Sequence, residues 1–195
     1  MPSDDSERPS ILIVDDEEKL ANMYTLWLRA DYDVETVYDG EPVLPKLDDV
    51  DVVLLDRRMP GYSGEDVLER IRDRDTDTSI ILITAVDPDF DILELPFDDY
   101  LCKPVQHTDL VSAIEQQLTA RANSDDLQEY IQFATKQRLL EFEHGPHVLE
   151  TNTEYVELRR RVDELEDQLR QDLDAFDEVL ETYKNINRKP GRTHR

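Results

Sequence analysis

Short apolar runs and amphipathic stretches alternate along residues 10–122. The runs Ser10–Val14, Val34–Val37, Val50–Leu55, Ser79–Thr84 and Asp99–Cys102 predict strands. Between them, apolar positions at helical spacing predict helices over Glu17–Ala30, Glu41–Leu47, Gly64–Arg72, a short stretch near Pro88–Leu93, and Thr108–Arg121. Three of the strands are continuously apolar rather than alternating, as expected of strands buried on both faces of a parallel sheet. The alternation as a whole predicts a doubly wound α/β domain.

The character changes after Arg121. Strand patterns stop and two long helical patterns follow. The first runs from about Asp125 to Glu143, with Asn123–Ser124 as its cap and His144–Gly145–Pro146 as its stop. The second starts near Thr151–Asn152 and carries Tyr155, Val162, Leu169, Phe176 and Tyr183 at a seven-residue spacing. Leu158, Leu165 and Val179 fill the companion position, and Asp172 breaks the register beside Leu173. Such heptads read as a coiled coil or as the long arm of a helical hairpin. The expected organisation is a disordered 1–9, an α/β domain over 10–121, a helical domain over 122–186 and a flexible basic tail over 187–195.

Charge changes the picture. The chain holds 47 acids against 22 bases, a formal net charge of −25, and only 6 of its bases are lysines. Disorder is the first reading of such an excess, but the regular apolar runs argue for a fold. Self-repulsion on this scale is screened at molar salt, where the Debye length is about 3 Å. Acid excess with few lysines resembles the proteins of halophilic archaea. Cys102 is the single cysteine, which excludes an internal disulfide and reads as a small core residue. The sequence has no apolar run near 18 residues, so a soluble, cytoplasmic protein with no membrane contact is expected.

The carboxyl ends of parallel strands are where such sheets place their sites. Here strand 1 ends in Asp15–Asp16, strand 3 in Asp56, strand 4 in Thr84 and strand 5 in Lys103–Pro104. Each residue alone has a plainer reading: the acids as helix caps or turn formers, Thr84 as a β-branched strand residue, Lys103 as a solvated lysine. Together they describe one acidic crevice. Three gathered carboxylates need a cation, and Mg²⁺ suits hard oxygen ligands. A metal-neutralised aspartate can attack a phosphoryl donor to form an acyl phosphate, with Lys103 and Thr84 suited to bind the phosphoryl oxygens.

The stretches Ile11–Glu17, Val53–Gly61, Ile83–Ala85 and Asp98–Pro104 resemble the receiver domains of two-component response regulators. The resemblance covers residues 10–121. It implies a flavodoxin-like (βα)5 fold with strand order 2-1-3-4-5, and a phosphoryl group taken by Asp56 from a histidine kinase or phosphotransfer protein. It also implies Mg²⁺ or Mn²⁺ held by Asp15, Asp16, Asp56 and the backbone carbonyl of Arg58. Thr84 and Tyr100 become a switch pair, in which the hydroxyl moves to the phosphoryl group and the ring turns inward. Lys103 becomes the salt link to that group, ahead of a cis Lys103–Pro104 peptide. One departure stands out. Only 16 positions separate Thr84 from Tyr100, and Pro96–Phe97 replaces the usual Gly-Ala, so the family's fourth helix should be shortened or absent. That puts in doubt the dimer surface which many transcription-factor relatives build on that helix. Residues from about 122 to 190 are similar to the HalX domain, a helical module of haloarchaeal receiver proteins.

Two outputs compete for the helices. The heptads point to a homodimer or a partner protein bound through residues 155–183. DNA binding is favoured less: Arg159–Arg160–Arg161 and five bases between Lys184 and Arg195 speak for it, but no helix-turn-helix pattern is present. High salt would also weaken phosphate contacts. An aspartate-nucleophile phosphatase is not expected, because such enzymes need an acid two residues after the nucleophile and that place is Arg58. The chain should catalyse only its own phosphotransfer and a slow autodephosphorylation.

Overall fold

The computed structural model describes residues 8–74 and 76–189. Five strands, β1 (Ser10–Val14), β2 (Asp33–Val37), β3 (Val52–Leu55), β4 (Ser79–Thr84) and β5 (Asp99–Cys102), form one sheet in the order β2-β1-β3-β4-β5. All four neighbouring pairs are parallel. The flavodoxin-like order implied by the family resemblance is therefore what the chain adopts. Every residue of β3, β4 and β5 is buried, which is why these strands show runs of apolar residues rather than alternation.

Odd and even strand positions feed two different cores. Ile11, Ile13, Val52, Leu54, Ile81, Ile83 and Leu101 face α1 (Glu18–Leu28) and α3 (His107–Asn123). Leu12, Val14, Val53, Leu55, Ile80, Leu82 and Tyr100 face the other side. There they meet Val67, Leu68 and Ile71 of α2 (Gly64–Arg72), whose start is fixed by a capping box between Ser63 and Asp66.

Two expected helices shrink to single 3-10 turns. Glu41–Leu47 contains Pro42 and Pro45, which lack the N–H groups that a helix would use, and only Leu44–Lys46 is wound. The stretch after Thr84 holds one turn, Phe90–Leu93, in agreement with the short spacing. The face left open beside β5 is filled from outside the α/β unit. Helix α4 (Asp125–Glu143), capped by Ser124, lays Leu139 and Leu140 into the same core as Leu82 and Tyr100. Gln132 donates to the Phe97 carbonyl and Lys136 to that of Leu93. Burial of each leucine contributes roughly 1.5–3 kcal/mol relative to exposure.

Beyond α4, Pro146 opens a short α5 (Pro146–Thr151) and Asn152 caps α6 (Thr153–Asp172). Helix α6 runs back antiparallel to α4, as the pairs Tyr155–Glu141, Arg161–Glu129 and Gln168–Asp126 require. Tyr155, Val162, Leu165 and Leu169 are buried, the last three against Leu127, Tyr130, Ile131 and Ala134. These heptad positions are thus spent within the chain, as in a hairpin. The second long helix is not continuous: it stops at Asp172, where the heptad register fails, and resumes as α7 (Phe176–Asn185).

The expected flexible tail from residue 187 needs correction where it is described. Ile186 enters the α1–α3 core and Arg188 is 0% exposed, because the segment after α7 turns back onto the α/β unit. Residues 1–7 and 190–195 lie outside the described residues, and with them most of the 1–9 stretch expected to be disordered and the remainder of the expected tail. Among the described residues no helix is long and apolar enough to cross a membrane.

Candidate functional site

The parallel register brings the ends of β1, β3 and β5 to one place. Asp15 follows β1 and Asp56 follows β3, and the amide of Asp56 donates to the Val14 carbonyl at 2.8 Å, which locks the two strand ends side by side. Carboxylate oxygens of Asp15, Asp16 and Asp56 all lie within 4.8 Å of one another. Asp15 and Asp56 are only 3% and 6% exposed, whereas Asp16 is open to solvent. Asp15 Oδ1 accepts from the amide of Glu17 at 2.9 Å, and Asp56 Oδ1 from that of Arg58 at 3.1 Å.

Lys103, delivered by β5, closes the pocket. Its Nζ lies 2.9 Å from Asp15 Oδ2 and 3.0 Å from Asp56 Oδ2, with Glu17 at 3.2 Å. Its amide donates to the Thr84 carbonyl and its peptide to Pro104 is cis, as the family resemblance implies. Burial alone would depress the Lys103 ammonium; its bonds with Asp15 and Asp56 outweigh this and hold its pKa above the usual lysine value. Burial raises the Asp15 carboxyl above the ordinary aspartate range, against the pull of the same ammonium.

Thr84 is buried at the end of β4, and its Oγ1 accepts from the amide of Val86 at 3.1 Å. The ring of Tyr100 lies inward, fully buried, with its hydroxyl donating to the Val86 carbonyl at 2.8 Å. Both side chains thus grip the same residue of the β4–β5 connection, from its two peptide groups.

The donor set fits a divalent cation. Three clustered carboxylates in a half-dry crevice carry more negative charge than one lysine cancels, and their oxygens are the hard ligands that Mg²⁺ and Mn²⁺ take. The Arg58 carbonyl oxygen takes no hydrogen bond among the described residues, so it is available as a further ligand.

Two neighbours escaped the sequence reading. Arg57, 6% exposed, pairs with Glu65 of α2 and with Asp91 of the Phe90–Leu93 turn, while its Nη1 finds no partner among the described residues. Its pattern in sequence is that of any arginine in a loop. Gly64 is the other: a Cβ there would sit 2.1 Å from the Asp56 carbonyl oxygen and 2.7 Å from Arg57 Cα. The start of α2 can press against the Asp56 loop only because no side chain intervenes.

Comparison with known proteins agrees with this geometry. The response regulator receiver domain model matches residues 11–115, and the HalX domain model matches residues 119–185. A "Putative transcriptional regulator" of Haloferax volcanii is 45% identical over 133 residues, which are 67% of this chain and 23% of that protein. "Sensory transduction protein RegX3" of Mycolicibacterium smegmatis is 38% identical over 123 residues, 60% of this chain and 54% of that protein. "DNA-binding response regulator MtrA" of Mycobacterium bovis is 33% identical over 160 residues, 79% of this chain and 67% of that protein. This chain therefore spans less than a quarter of the first relative and about half of the second. Among solved structures, the BeF3-activated DrrB receiver domain aligns with 29% identity and a TM-score of 0.53, covering 56% of this chain and 97% of that one. The receiver of an HD domain-containing protein from Pseudomonas fluorescens aligns at 0.55 with 28% identity, covering 60% and 99%. The chain belongs to the response-regulator receiver family, a receiver domain followed by a HalX domain.

Proposed function

We propose that Asp56 is the phosphoacceptor of a two-component relay and that its modification switches the helical module. The observation that carries this reading is the convergence of Asp56, two further carboxylates and Lys103 at the ends of three strands. An oxygen of Asp56 attacks phosphorus on the donor histidine of a kinase or phosphotransfer protein. The P–N bond breaks, its electron pair returns to the imidazole, and an aspartyl phosphate remains. Mg²⁺ or Mn²⁺, held by Asp15, Asp16, Asp56 and the Arg58 carbonyl, would supply positive charge to the entering phosphoryl oxygens. Lys103 then exchanges its bond with Asp56 for one with the phosphoryl group, and the Thr84 hydroxyl leaves the Val86 amide to donate to it. Tyr100 is the other half of that switch. No carboxylate stands two residues after Asp56 to activate water, so the chain turns over its own acyl phosphate slowly and no other substrate. Donors of this kind place the protein in the cytoplasm.

Incubation with acetyl phosphate and Mg²⁺ in molar KCl tests this. Wild type should take up close to one phosphate per chain and Asp56→Asn at least 100-fold less, with a half-life of the label of minutes or longer. Equal incorporation in the two proteins would sink the assignment, and a half-life of seconds would sink the slow turnover.

The helices serve as an interaction module rather than a DNA reader. Arg160 pairs with Glu164, Arg161 pairs with Glu129 and Arg188 is buried, so three of the bases that spoke for DNA are engaged. A phosphate-dependent change of mass in sedimentation supports the module; phosphate-dependent retention on duplex DNA without such a change would transfer the output to transcription, as the names of the relatives invite.

A further inference from the structure

Asp99, the first residue of the receiver's edge strand β5, is 0% exposed, and so is Arg188. Arg188 Nε meets Asp99 Oδ1 and Nη2 meets Oδ2, both at 2.7 Å. The guanidinium also donates to Gln116 Oε1 of α3 at 3.0 Å and to the Tyr183 carbonyl of α7 at 2.9 Å, and it stacks 4.4 Å from the centre of the Tyr183 ring. The carboxylate is equally committed: Oδ1 takes the amide of Tyr100 at 2.7 Å and the hydroxyl of Thr135, on α4, at 3.4 Å. On the flank of the pair, Ile186 enters the core beneath α3, and the Asn187 amide donates to Asp109.

One ion pair thus joins β5, α3, α4 and the segment after α7: the carboxylate reaches α4 and the Tyr100 amide, and the guanidinium reaches α3. Charges this dry are tolerable only when their partners are complete, because withdrawing one leaves the other unpaired in a low-dielectric interior. The arrangement is consequently close to all-or-none: the segment is either docked with every bond made, or released with both ions in water. A contact with two discrete settings is what coupling between sites requires.

We propose that residues 186–188 are a clasp through which the helical module holds Tyr100 in its inward position, so that release of the clasp and phosphorylation of Asp56 are coupled. The proposal deepens the phosphoacceptor reading and rests on it. The ring it holds is buried, with its hydroxyl donating to the Val86 carbonyl. By reciprocity, phosphorylation tightens the clasp as much as the clasp favours phosphorylation.

The test compares wild type with Arg188→Gln and Arg188→Lys, each in the native background and with Tyr100→Ala. Phosphate incorporation from acetyl phosphate is read beside amide hydrogen exchange of residues 99–102. Arg188→Lys keeps the charge and loses the fork, and it decides the matter if the Gln variant fails to fold. The expected result is incorporation at least threefold slower in the Arg188 variants, faster exchange in 99–102, and no effect of Arg188 on incorporation once Tyr100 is alanine. Equal slowing in both backgrounds would show a merely structural pair and overturn the proposal, as would unaltered exchange. If wild type takes up no phosphate at all, the phosphoacceptor reading has failed, and exchange in 99–102 alone then decides whether the clasp exists: faster exchange upholds it and unchanged exchange removes it.

Discussion

Gly64 and Asp56 show how closely the site is tied to its packing. Any side chain at position 64 would press on the Asp56 carbonyl oxygen and on the backbone of Arg57, neither of which can swing aside. Gly64→Ala should therefore cost about 1–3 kcal/mol of stability, the usual range for overpacking. It should also slow phosphate uptake well beyond that loss, since displacements near 1 Å can cost on the order of 100-fold. Denaturant midpoints and incorporation rates measured on the same variant separate the two effects. At this scale the sequence was informative where chemistry sits at strand ends: Asp15, Asp56, Thr84 and Lys103 announce themselves because short apolar runs point at them. Arg57, Asp99 and Arg188 could not be found that way. Arg57 reaches Asp91, 34 residues on, and Arg188 reaches Asp99 across 89, and a long-range ion pair leaves no local periodicity to read.

Among the elements, α4 carries the clearest titration. Lys136 is buried on it, with its Nζ 3.0 Å from the Leu93 carbonyl and over the Phe97 ring. Burial depresses its pKa to about 8, while nearby Asp98 pulls the other way. The folded protein therefore releases this proton before the unfolded chain does, whose lysine titrates near 10.5. Below pH 8 both states hold the proton and the burial penalty is present in full; between pH 8 and 10.5 the unfolded state binds more protons and stability rises. The gain attributable to Lys136 is on the order of 3 kcal/mol. Guanidinium unfolding at pH 8 and pH 10 should show it as a difference between wild type and Lys136→Met, and an equal pH response in the two would refute it. Element boundaries were legible where they depend on local chemistry, such as Ser124, Asn152 and the heptad fault at Asp172. The stretch Glu41–Leu47 misled because its apolar spacing is helical while Pro42 and Pro45 forbid the bonds. That the vacancy beside β5 is filled by α4 is a tertiary fact, which the short spacing from Thr84 to Tyr100 only hinted at.

For the whole molecule, a net charge of −25 sets the terms. At 0.1 M salt the screening length is about 10 Å, so the exposed acids of α6, Glu154, Glu157, Asp163 and Asp167, repel across the hairpin surface. Buried pairs such as Lys103–Asp56 and Arg188–Asp99 are screened far less. Transfer from 2 M to 0.1 M KCl should lower the thermal midpoint by 10 °C or more, read by circular dichroism, with the hairpin melting before the sheet. A midpoint indifferent to salt would mean that the acidic surface is inert. The placement of α4 has one further consequence, for protein engineering. Receivers are commonly treated as portable cassettes, to be cut after their last helix and fused to a new effector. Here the wall beside β5 is built from residues beyond that cut, so a chimera joined at residue 122 would leave Leu82, Phe97 and Tyr100 bare on that side. A functional graft has to carry residues 124–143 along, as part of the receiver rather than of its output.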